Sequence, residues 1–387
     1  MVHSARRIAI ASTCALVILS GTGRAQDIIG RVAVEAVASA KVTSATLDDP
    51  FLIFDAVSTI RVGRGWNAVI RPWARRMPGG EWGAEMYQLQ LRYTSSTRVP
   101  FRVDAGIISS PLGLATLELT SDRNPTIDAP FYYFVPLPSF DGRPDRLTLL
   151  SGGYPLGAIV SASGSRWDVR GGVTDATPAR PSNVFSASRS AARQIVGGGG
   201  ITPVPGLRAG VGFSQGRYRA PSSTAPVAPI PAADGTVFDE ETGYAAGFAD
   251  GAASSTGAGG AAAAADVTVF NVEGEYAFGY TRIAGEWIVS RFETSLSPAV
   301  ARGFNLQAVQ TLTPRWFAAG RVVRVSSPVL AGPASGRRTG ASTEGTLGYR
   351  LSPEVTLRGG YQGSRSMYRP GWNHALALSA VWSQRWW

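Results

Sequence analysis

The sequence has very little of the residue types that build disulfides, thiolate metal sites and general bases. Its 387 residues include one cysteine and two histidines, and lysine occurs once, at Lys41, so that 36 of the 37 basic residues are arginines. A single cysteine excludes a disulfide framework and a cysteine zinc site. Beyond the first 25 residues, no apolar run approaches the roughly 20 residues that a membrane helix needs. The composition therefore excludes a disulfide-stapled fold and a helical membrane protein.

The N-terminal segment predicts export. Two arginines precede an apolar run at residues 8–19, and a small-residue site ends at Ala25. This order is typical of a secretory signal peptide, and the run is too short to span a bilayer. We expect residues 1–25 to be removed. The mature chain, residues 26–387, then keeps His374 as its only histidine and carries a formal charge of +7, from 34 basic and 27 acidic residues.

Apolar and polar residues alternate at a period of two rather than 3.6. In the stretch EMYQLQLRYT, Tyr87, Leu89, Leu91 and Tyr93 are separated by glutamine and arginine. In a β-strand this period places every apolar side chain on one face. Strands of about ten residues with this pattern favour a membrane barrel, because the strands of soluble sandwiches usually have about five or six residues.

Sixteen segments of the chain carry this pattern. They span residues 29–38, 53–63, 66–76, 83–94, 99–109, 153–162, 165–175, 192–202, 206–217, 266–277, 280–292, 301–312, 315–326, 341–351, 354–365 and 373–386. The predicted fold class is all-β, a transmembrane antiparallel up-and-down β-barrel of about 16 strands, with 14 and 18 as the alternatives.

A short motif recurs at the ends of predicted strands. LTPRW begins at Leu312, LSPEV at Leu351 and ITPVP at Ile201. Proline fixes φ and cannot donate to a central ladder, so each motif predicts a short turn between long strands. All three follow even-numbered segments, whereas the long connections follow odd-numbered ones. A barrel with short turns at one rim and long loops at the other requires this sorting.

Two connections are much longer than the rest. Residues 218–265 are rich in alanine, glycine, serine and proline, and we expect a flexible external loop without a site. Residues 110–150 contain prolines, charges and the aromatic stretch FYYF at 131–134, which we expect to pack the loop against the wall. Long loops in compact structures are commonly functional, so residues 110–150 are the candidate functional segment.

Taken together, the signal peptide, the 16 alternating segments, the sorted loops and the oversized loop after the fifth segment resemble the Gram-negative outer-membrane porin superfamily. The stretch DAGIISSPLGL, residues 104–114, is similar to a passage of the phosphate-selective porins. The resemblance implies an outer-membrane location, contact with membrane lipid and lipopolysaccharide, handling by the barrel-assembly machinery and passage of small hydrophilic solutes. It also implies that residues 110–150 fold inward as a constriction loop and that the protein needs no cofactor. Assembly as a homotrimer stays open.

The polar faces of the strands predict a charged lumen. We expect it to be lined by Arg61, Arg71, Arg92, Arg102, Asp104, Arg166, Arg170, Arg282, Glu286 and Arg358. The candidates in the constriction loop are Asp122, Arg123, Asp128, Asp141, Arg143 and Asp145. Arginines outnumber carboxylates on the inward-facing positions, so we expect a mild preference for anions.

Two other classes of function stay open, a barrel enzyme and a structural or adhesive barrel without an open pore. His374 alternates with Leu376 and Leu378, which favours the lipid side over a catalytic base, although the sequence leaves open a serine site without histidine. Asp48 and Asp49 would supply only two side chains toward the six to eight oxygens of a calcium site, so we expect a turn. Export and the lack of a concentrated basic run argue against nucleic acid.

Aromatic residues are expected in girdles at both membrane interfaces. The tryptophans assigned to them are Trp167, Trp287, Trp316 and Trp382. At the C-terminus, Trp386 shares a face with Trp382, whereas Trp387 is out of register. We therefore expect Trp386 to be the functional terminal aromatic residue, or the last strand to contain an irregularity.

Overall fold

Alternating segments pair in chain order to form a closed ring in the computed structural model. The structure describes residues 28–42, 50–76, 82–95, 99–114, 120–128, 137, 147–150, 154–175, 193–219, 264–294, 297–329, 336–367 and 371–386. The strands are β1 (Ile28–Lys41), β2 (Phe51–Gly63), β3 (Trp66–Arg76), β4 (Trp82–Thr94), β5 (Phe101–Ile107), β6 (Leu156–Ser163), β7 (Trp167–Thr174), β8 (Gln194–Val204), β9 (Leu207–Arg219), β10 (Ala264–Phe278), β11 (Thr281–Phe292), β12 (Ala299–Thr311), β13 (Trp316–Val329), β14 (Gly336–Arg350), β15 (Val355–Arg365) and β16 (Asn373–Trp386). This confirms the predicted fold class and the number of strands.

The first and last strands close the barrel. β1 pairs antiparallel with β16 from Gly30 opposite Trp386 to Lys41 opposite Ala375. The Trp386 ring covers Gly30, where a Cβ atom would collide with it. Trp387 lies outside the described residues, so its predicted irregularity stays untested.

All connections of seven residues or more lie at one rim, as predicted, and all connections of four residues or fewer lie at the other, whereas connections of five or six residues occur at both. The connections after even-numbered strands are 64–65, 95–100, 164–166, 205–206, 279–280, 312–315 and 351–354, and we call their end of the barrel the short-turn rim. The connections after odd-numbered strands are 42–50, 77–81, 108–155, 175–193, 220–263, 293–298, 330–335 and 366–372, and they form the long-loop rim.

The repeated proline motif forms the same turn twice. In LTPRW, Thr313 Oγ1 accepts a hydrogen bond from the N–H of Trp316 at 3.0 Å. In LSPEV, Ser352 Oγ accepts one from the N–H of Val355 at 3.1 Å. The third copy ends β8, where the ladder with β9 is irregular after Ile201. The hydroxyl residue thus supplies an acceptor for the first N–H of the next strand.

Apolar side chains cover the outside of the barrel and polar ones line its lumen. Leu89 and Leu378 are exposed on the outer face, whereas Asp55, Glu273 and Arg321 are buried on the inner face. This is the alternation of a membrane barrel. Within the described ranges, no helix reaches the length and hydropathy of a membrane-spanning helix.

Tyr87 departs from the predicted outward face. β3 pairs Arg71 with Gln88 but Pro72 with Met86, so β4 carries one extra residue at this point. Proline cannot donate to the ladder, and a bulge reverses the direction of the next side chain. Tyr87 therefore turns inward and stacks on Trp73, with ring centroids 4.9 Å apart. The prediction that Tyr87 lies on the face of Leu89 and Leu91 was wrong for this reason.

Outward aromatic residues form a girdle at the short-turn rim. Trp316 packs on Tyr349 with ring centroids 4.7 Å apart, and Trp66 packs on Tyr93 at 4.9 Å. Trp167 and Trp382 are exposed near the same rim. Trp287 is also exposed on the outer face, but it lies in the middle of β11, closer to the long-loop rim.

Candidate functional site: a charged lumen crossed by a loop

The connection between β5 and β6 crosses the lumen. The carbonyls of Asn124 and Thr126 accept hydrogen bonds from Arg358 Nη1 at 2.7 and 2.6 Å, and the Asp128 carbonyl accepts one from Arg321 Nη1 at 2.6 Å. Arg321 is on β13 and Arg358 on β15. In a ring of 16 strands β13 is the eighth strand from β5, so residues 120–128 lie against the wall opposite their own attachment point. We call residues 120–128 the crossing segment.

Arg321 holds the crossing segment through a guanidinium that makes several hydrogen bonds and lies 3.9 Å from the Glu344 carboxylate. Its Nε and Nη2 atoms donate to Gln307 Oε1 at 2.8 and 2.6 Å, and Nη2 also donates to Asn124 Oδ1 at 2.7 Å. From β14, Glu344 Oε1 accepts the N–H groups of Ile127 and Asp128 at 2.6 and 3.1 Å. A buried charge is tolerated only when it is paired and hydrogen-bonded, and this arrangement meets both conditions.

Arg358 joins the crossing segment to the closing strands. Besides its two loop carbonyls, the guanidinium contacts the carboxylate of Glu35 on β1 and donates to Ser379 Oγ on β16 at 2.9 Å. Ser379 Oγ donates in turn to Glu35 Oε1 at 2.7 Å. A salt bridge between Arg31 and Asp122 adds a further contact to β1. One end of the crossing segment is therefore held by charges from the strands that close the barrel.

Nearer the long-loop rim, the same connection packs on an apolar inner wall. Ser290 Oγ donates to the Leu149 carbonyl at 2.6 Å, and Gly303 leaves room for the Leu149 side chain, because a Cβ atom there would collide with it. The buried cluster comprises Leu112, Leu137, Leu147, Leu149 and Leu150 of the connection, and Val267, Val269, Ile288, Phe292, Ala299, Ala301, Val323, Val325 and Met367 around it. The connection is thus fixed by charge at one level and by apolar packing at another.

The return of the connection to the wall is anchored at Arg71. Its guanidinium makes two hydrogen bonds to the Asp55 carboxylate at 2.8 and 2.7 Å, and Nη1 donates to the Tyr154 hydroxyl at 2.7 Å. Tyr154 stacks on Tyr87 with ring centroids 4.5 Å apart. The bulge that turns Tyr87 inward therefore supplies the surface on which residue 154 packs before β6 begins.

The remaining inner wall, from β4 to β11, presents arginines. Arg92 and Arg102 both contact the Asp104 carboxylate, at 2.7 and 2.8 Å. Arg170 and Arg208 share Glu273, at 3.5 and 2.7 Å. Two further ion pairs complete this wall, Arg208–Asp168 at 3.0 Å and Arg282–Glu275 at 2.8 Å.

The arginines of this wall are more exposed to the lumen than most of its carboxylates. Five arginines, namely Arg92, Arg102, Arg170, Arg208 and Arg282, stand against five carboxylates on the same strands, namely Asp104, Asp168, Glu273, Glu275 and Glu286, so these charges balance. The arginine side chains at 92 and 102 are 28% and 49% exposed, whereas those of Asp104 and Glu273 are 8% and 0% exposed. Asp104, Glu273 and Glu286 are therefore less accessible to a solute than the guanidinium groups, whereas Asp168 at 33% and Glu275 at 30% are about as exposed as their arginine partners. We call these five arginines the arginine wall.

Sequence comparisons give no match, since neither a family model nor a curated protein matches this chain. Solved structures do match over nearly the whole chain. OmpT of Vibrio cholerae in its trimer form is 11% identical and aligns 92% of this chain with 99% of its own, with a TM-score of 0.54. The anion-selective porin of Comamonas acidovorans is 13% identical, covers 92% and 98% of the two chains and has a TM-score of 0.53. OmpF of Salmonella typhi, solved with daunomycin, is 9% identical, covers 92% and 97% and also has a TM-score of 0.53.

The chain has the porin fold. At identities this low the likeness concerns the fold alone, so the roles of individual residues must come from the geometry of this chain.

Most of the predicted lining residues face the lumen of this porin fold. They are Arg61, Arg71, Arg92, Arg102, Asp104, Arg170, Arg282, Glu286 and Arg358. Arg166 does not belong to the wall, because β7 begins at Trp167 and leaves Arg166 exposed in the connection at the short-turn rim. Their roles in selectivity stay a prediction.

Three candidates from the predicted constriction loop lie in the crossing segment. Asp122 pairs with Arg31, Asp128 contributes its carbonyl to Arg321, and Arg123 is exposed. The other predicted positions fall outside the described residues. They are Asp141, Arg143, Asp145, Asp48, Asp49, the aromatic stretch at 131–134, the signal peptide at 1–25 and most of 218–265.

His374 lies on the outer face near the long-loop rim. Its Nδ1 is 2.5 Å from the Tyr361 hydroxyl, and its ring stacks with Tyr361 and Trp372. The imidazole thus belongs to an outward aromatic cluster.

Sequence reasoning missed three residues that hold the crossing segment, namely Arg31, Glu35 and Arg321. Each lies on the inner face of its strand. Their neighbours are small or apolar on both faces, so alternation alone gave no reason to select them.

Proposed function

We propose that this protein is an outer-membrane channel through which small hydrophilic solutes diffuse passively. The observation that carries this proposal is the asymmetry of the lumen: the crossing segment is attached to one side, and the arginine wall stands on the other. Partly exposed guanidinium groups inside a barrel are what a water-filled path would leave, because a barrel packed with its own side chains would bury them. The porin fold supports the same reading.

We further propose that residues 110–150 narrow the path. The attachment of the crossing segment opposite β5 supports this proposal, since a chain that spans a lumen must occupy part of its cross-section. The narrowest passage would then lie between the crossing segment and the arginine wall, where a solute comes within contact distance of charge.

A mild preference for anions follows from the charge of that passage. The guanidinium groups of the arginine wall are more accessible than three of the five carboxylates around them, so the local potential should enrich anions within about a Debye length, roughly 10 Å at 0.1 M salt. The potential of these largely paired charges is screened at high ionic strength. We therefore expect a weak effect that grows as the salt is diluted.

The proposal includes location and assembly. We place the barrel in the outer membrane of a Gram-negative bacterium, with the long loops outside, in contact with lipid and lipopolysaccharide after insertion by the barrel-assembly machinery. We propose no catalytic role and no cofactor. We propose homotrimer assembly because one similar structure is a trimer form.

Electrophysiology tests this function directly. The purified protein in a planar bilayer should show stepwise conductance, and a tenfold potassium chloride gradient should give a zero-current potential of the sign that anions produce. Changing Arg92, Arg102 and Arg170 together to glutamine should move this potential toward zero. Arg217→Gln is the matched control, since Arg217 is exposed on the outer face. A closed barrel, a cation-selective wild type, or a triple variant with unchanged selectivity would contradict the proposal.

A further inference from the structure

Arginines on the outer face of the described strands are confined to one end of the barrel. They are Arg76, Arg217, Arg291, Arg302, Arg324, Arg337 and Arg365, and all lie toward the long-loop rim. Among the described outward positions of β11–β15 there is no carboxylate, and Glu293, just beyond β11, pairs with Arg291 at 2.8 Å. The outer face therefore carries a one-sided excess of positive charge.

Four of these arginines form a compact group on consecutive strands. We call Arg302, Arg324, Arg337 and Arg365, on β12 to β15, the arginine patch. Arg324 and Arg365 share one row, because both pair with Ala341 of the strand between them. With strands about 4.8 Å apart, their Cα atoms are roughly 10 Å apart. Arg302 and Arg324 are diagonal neighbours, about 7–8 Å apart, since Arg302 pairs with Ser326 and Arg324 with Phe304.

The patch lies at the outer edge of the apolar band, with Arg324 about 5 Å inside that edge. Arg324 is eight residues beyond Trp316 of the short-turn girdle, which is roughly 26 Å along the strand and about 20 Å along the axis at a tilt of about 40°. The apolar band of such barrels is about 25 Å tall, with aromatic residues at both edges. Trp287 and Phe304 share the row of Arg324 and supply the second edge. Charge at this depth costs only about 0–1 kcal/mol.

A groove continues from the patch into the apolar band. Its volume is about 410 Å³, and it lies over β12 to β15 in the two rows next below Arg324. Small outward residues form its floor, namely Ala308, Gly320, Thr343 and Gly345, between the larger side chains of Leu306, Val322 and Tyr361. A Cβ atom on Gly345 would meet nothing within 4 Å. The positively charged patch and the apolar groove therefore form one continuous surface on the outer face of the barrel.

We propose that this face binds one lipopolysaccharide molecule, with its phosphates on the arginine patch and an acyl chain in the groove. Guanidinium groups bind phosphate through paired, charge-assisted hydrogen bonds, and the groove offers an apolar channel for a flexible chain. A second copy of this chain fits less well. The described outward strand positions offer Asp266 as an acidic partner, and Asp266 already pairs with Arg217 at 3.6 Å. The inference rests on the proposed membrane location and not on conduction.

Native mass spectrometry of the full chain, refolded in detergent without lipopolysaccharide, tests this site. The probes are lipid A with two phosphates, the same lipid with one phosphate, and phosphatidylethanolamine. We expect the wild type to prefer two phosphates over one and to bind phosphatidylethanolamine weakly. Changing all four patch arginines to glutamine should weaken binding of the two-phosphate lipid at least tenfold and remove the preference for the second phosphate.

Matched variants separate the two halves of the site. Gly345→Leu should weaken both forms of lipid A while keeping their ratio, because it fills the groove and leaves the patch intact. Gly171→Leu is its control on the far side of the barrel, where a Cβ atom meets only the Val196 carbonyl at 3.8 Å. Arg76→Gln with Arg217→Gln is the control for charge. Heat-modifiable gel mobility verifies that each variant is folded.

Three results would overturn the inference. They are equal lipid A binding by the wild type and the patch variant, equal loss in the charge control, and a change of oligomeric state in Gly345→Leu without a change in lipid binding. The last result would assign the face to a contact between protomers. Conductance is measured in parallel and should be unchanged in the patch variant, so a wild type that conducts without binding lipid A refutes this inference and leaves the channel proposal standing.

Discussion

Replacing Arg358 by glutamine should release part of the crossing segment from the wall. Glutamine is shorter than arginine and carries no charge, so both charge-assisted bonds to the Asn124 and Thr126 carbonyls are lost. Arg358 and Ser379 both donate to the Glu35 carboxylate, and the substitution leaves Ser379 as the remaining donor of this pair. The substitution thus changes two quantities, the attachment of the segment and the stability of the barrel.

The two effects can be sized separately. Hydrogen bonds from a charged donor contribute about 1.5–3 kcal/mol each, so two lost bonds weaken the attachment by about 3–6 kcal/mol. At about 1.4 kcal/mol per tenfold, even the lower figure shifts the ratio of attached to detached segment by roughly 150-fold. Removing one partner of a buried ion pair costs about 3–5 kcal/mol. Glu35→Gln combined with Arg358→Gln removes the stranded charge but not the loss of attachment.

Two assays then distinguish the contributions. Denaturant unfolding, followed by tryptophan fluorescence, should show a large loss for Arg358→Gln that the double variant largely recovers. Current fluctuations in a planar bilayer should rise in both variants, since both lose the loop bonds. Arg350→Gln is the matched control, because Arg350 contacts the Pro314 carbonyl at the short-turn rim and not the crossing segment. Wild-type noise in a folded Arg358→Gln channel would refute the idea that these bonds hold the segment.

Three further outcomes are expected. Deleting residues 129–146 should raise single-channel conductance by removing part of the connection, and unchanged conductance in a folded variant would place it outside the path. Gly303→Leu should destabilise the barrel by about 1–3 kcal/mol in denaturant, because the new side chain collides with Leu149, whereas Gly345→Ala should be near neutral. The barrel should show heat-modifiable gel mobility and membrane association that resists urea, and a protein recovered fully in the periplasm would contradict the proposed location.

The strands and rims could be predicted from sequence because the signals that specify them are local. β15, for example, was predicted at 354–365 and spans Val355–Arg365. Period-two alternation marks each strand, and proline or glycine marks each turn. The largest difference between a predicted and an observed strand boundary is at β14, which begins at Gly336 rather than residue 341. The adjacent residues Arg337 and Arg338 interrupt the alternation in this stretch.

The contacts that hold the site could be predicted only in part. Arg358 alternates with clear apolar neighbours, and its inward direction was expected. Arg321 and Arg324 are three residues apart, so their side chains point to opposite faces of β13. The two residues between them are both valine, so each face carries one arginine and one valine. The alternation therefore gave no basis for deciding which arginine points into the lumen. The bonds from Arg358 to the crossing segment join residues more than 230 positions apart. No local pattern encodes a contact at that separation.

The ladder between β1 and β16 makes folding of this chain depend on its last residues. Residues at opposite ends of the sequence, such as Val34 and Trp382, must pair before the ring has no free edge. Until then both terminal strands present unpaired backbone groups that can join other chains. Contacts this distant in sequence form slowly, because the intervening chain must first be closed into a loop. A chain that ends before β16 therefore keeps an open sheet that is prone to aggregation. The barrel can close only after β16 has been synthesised and has paired with β1.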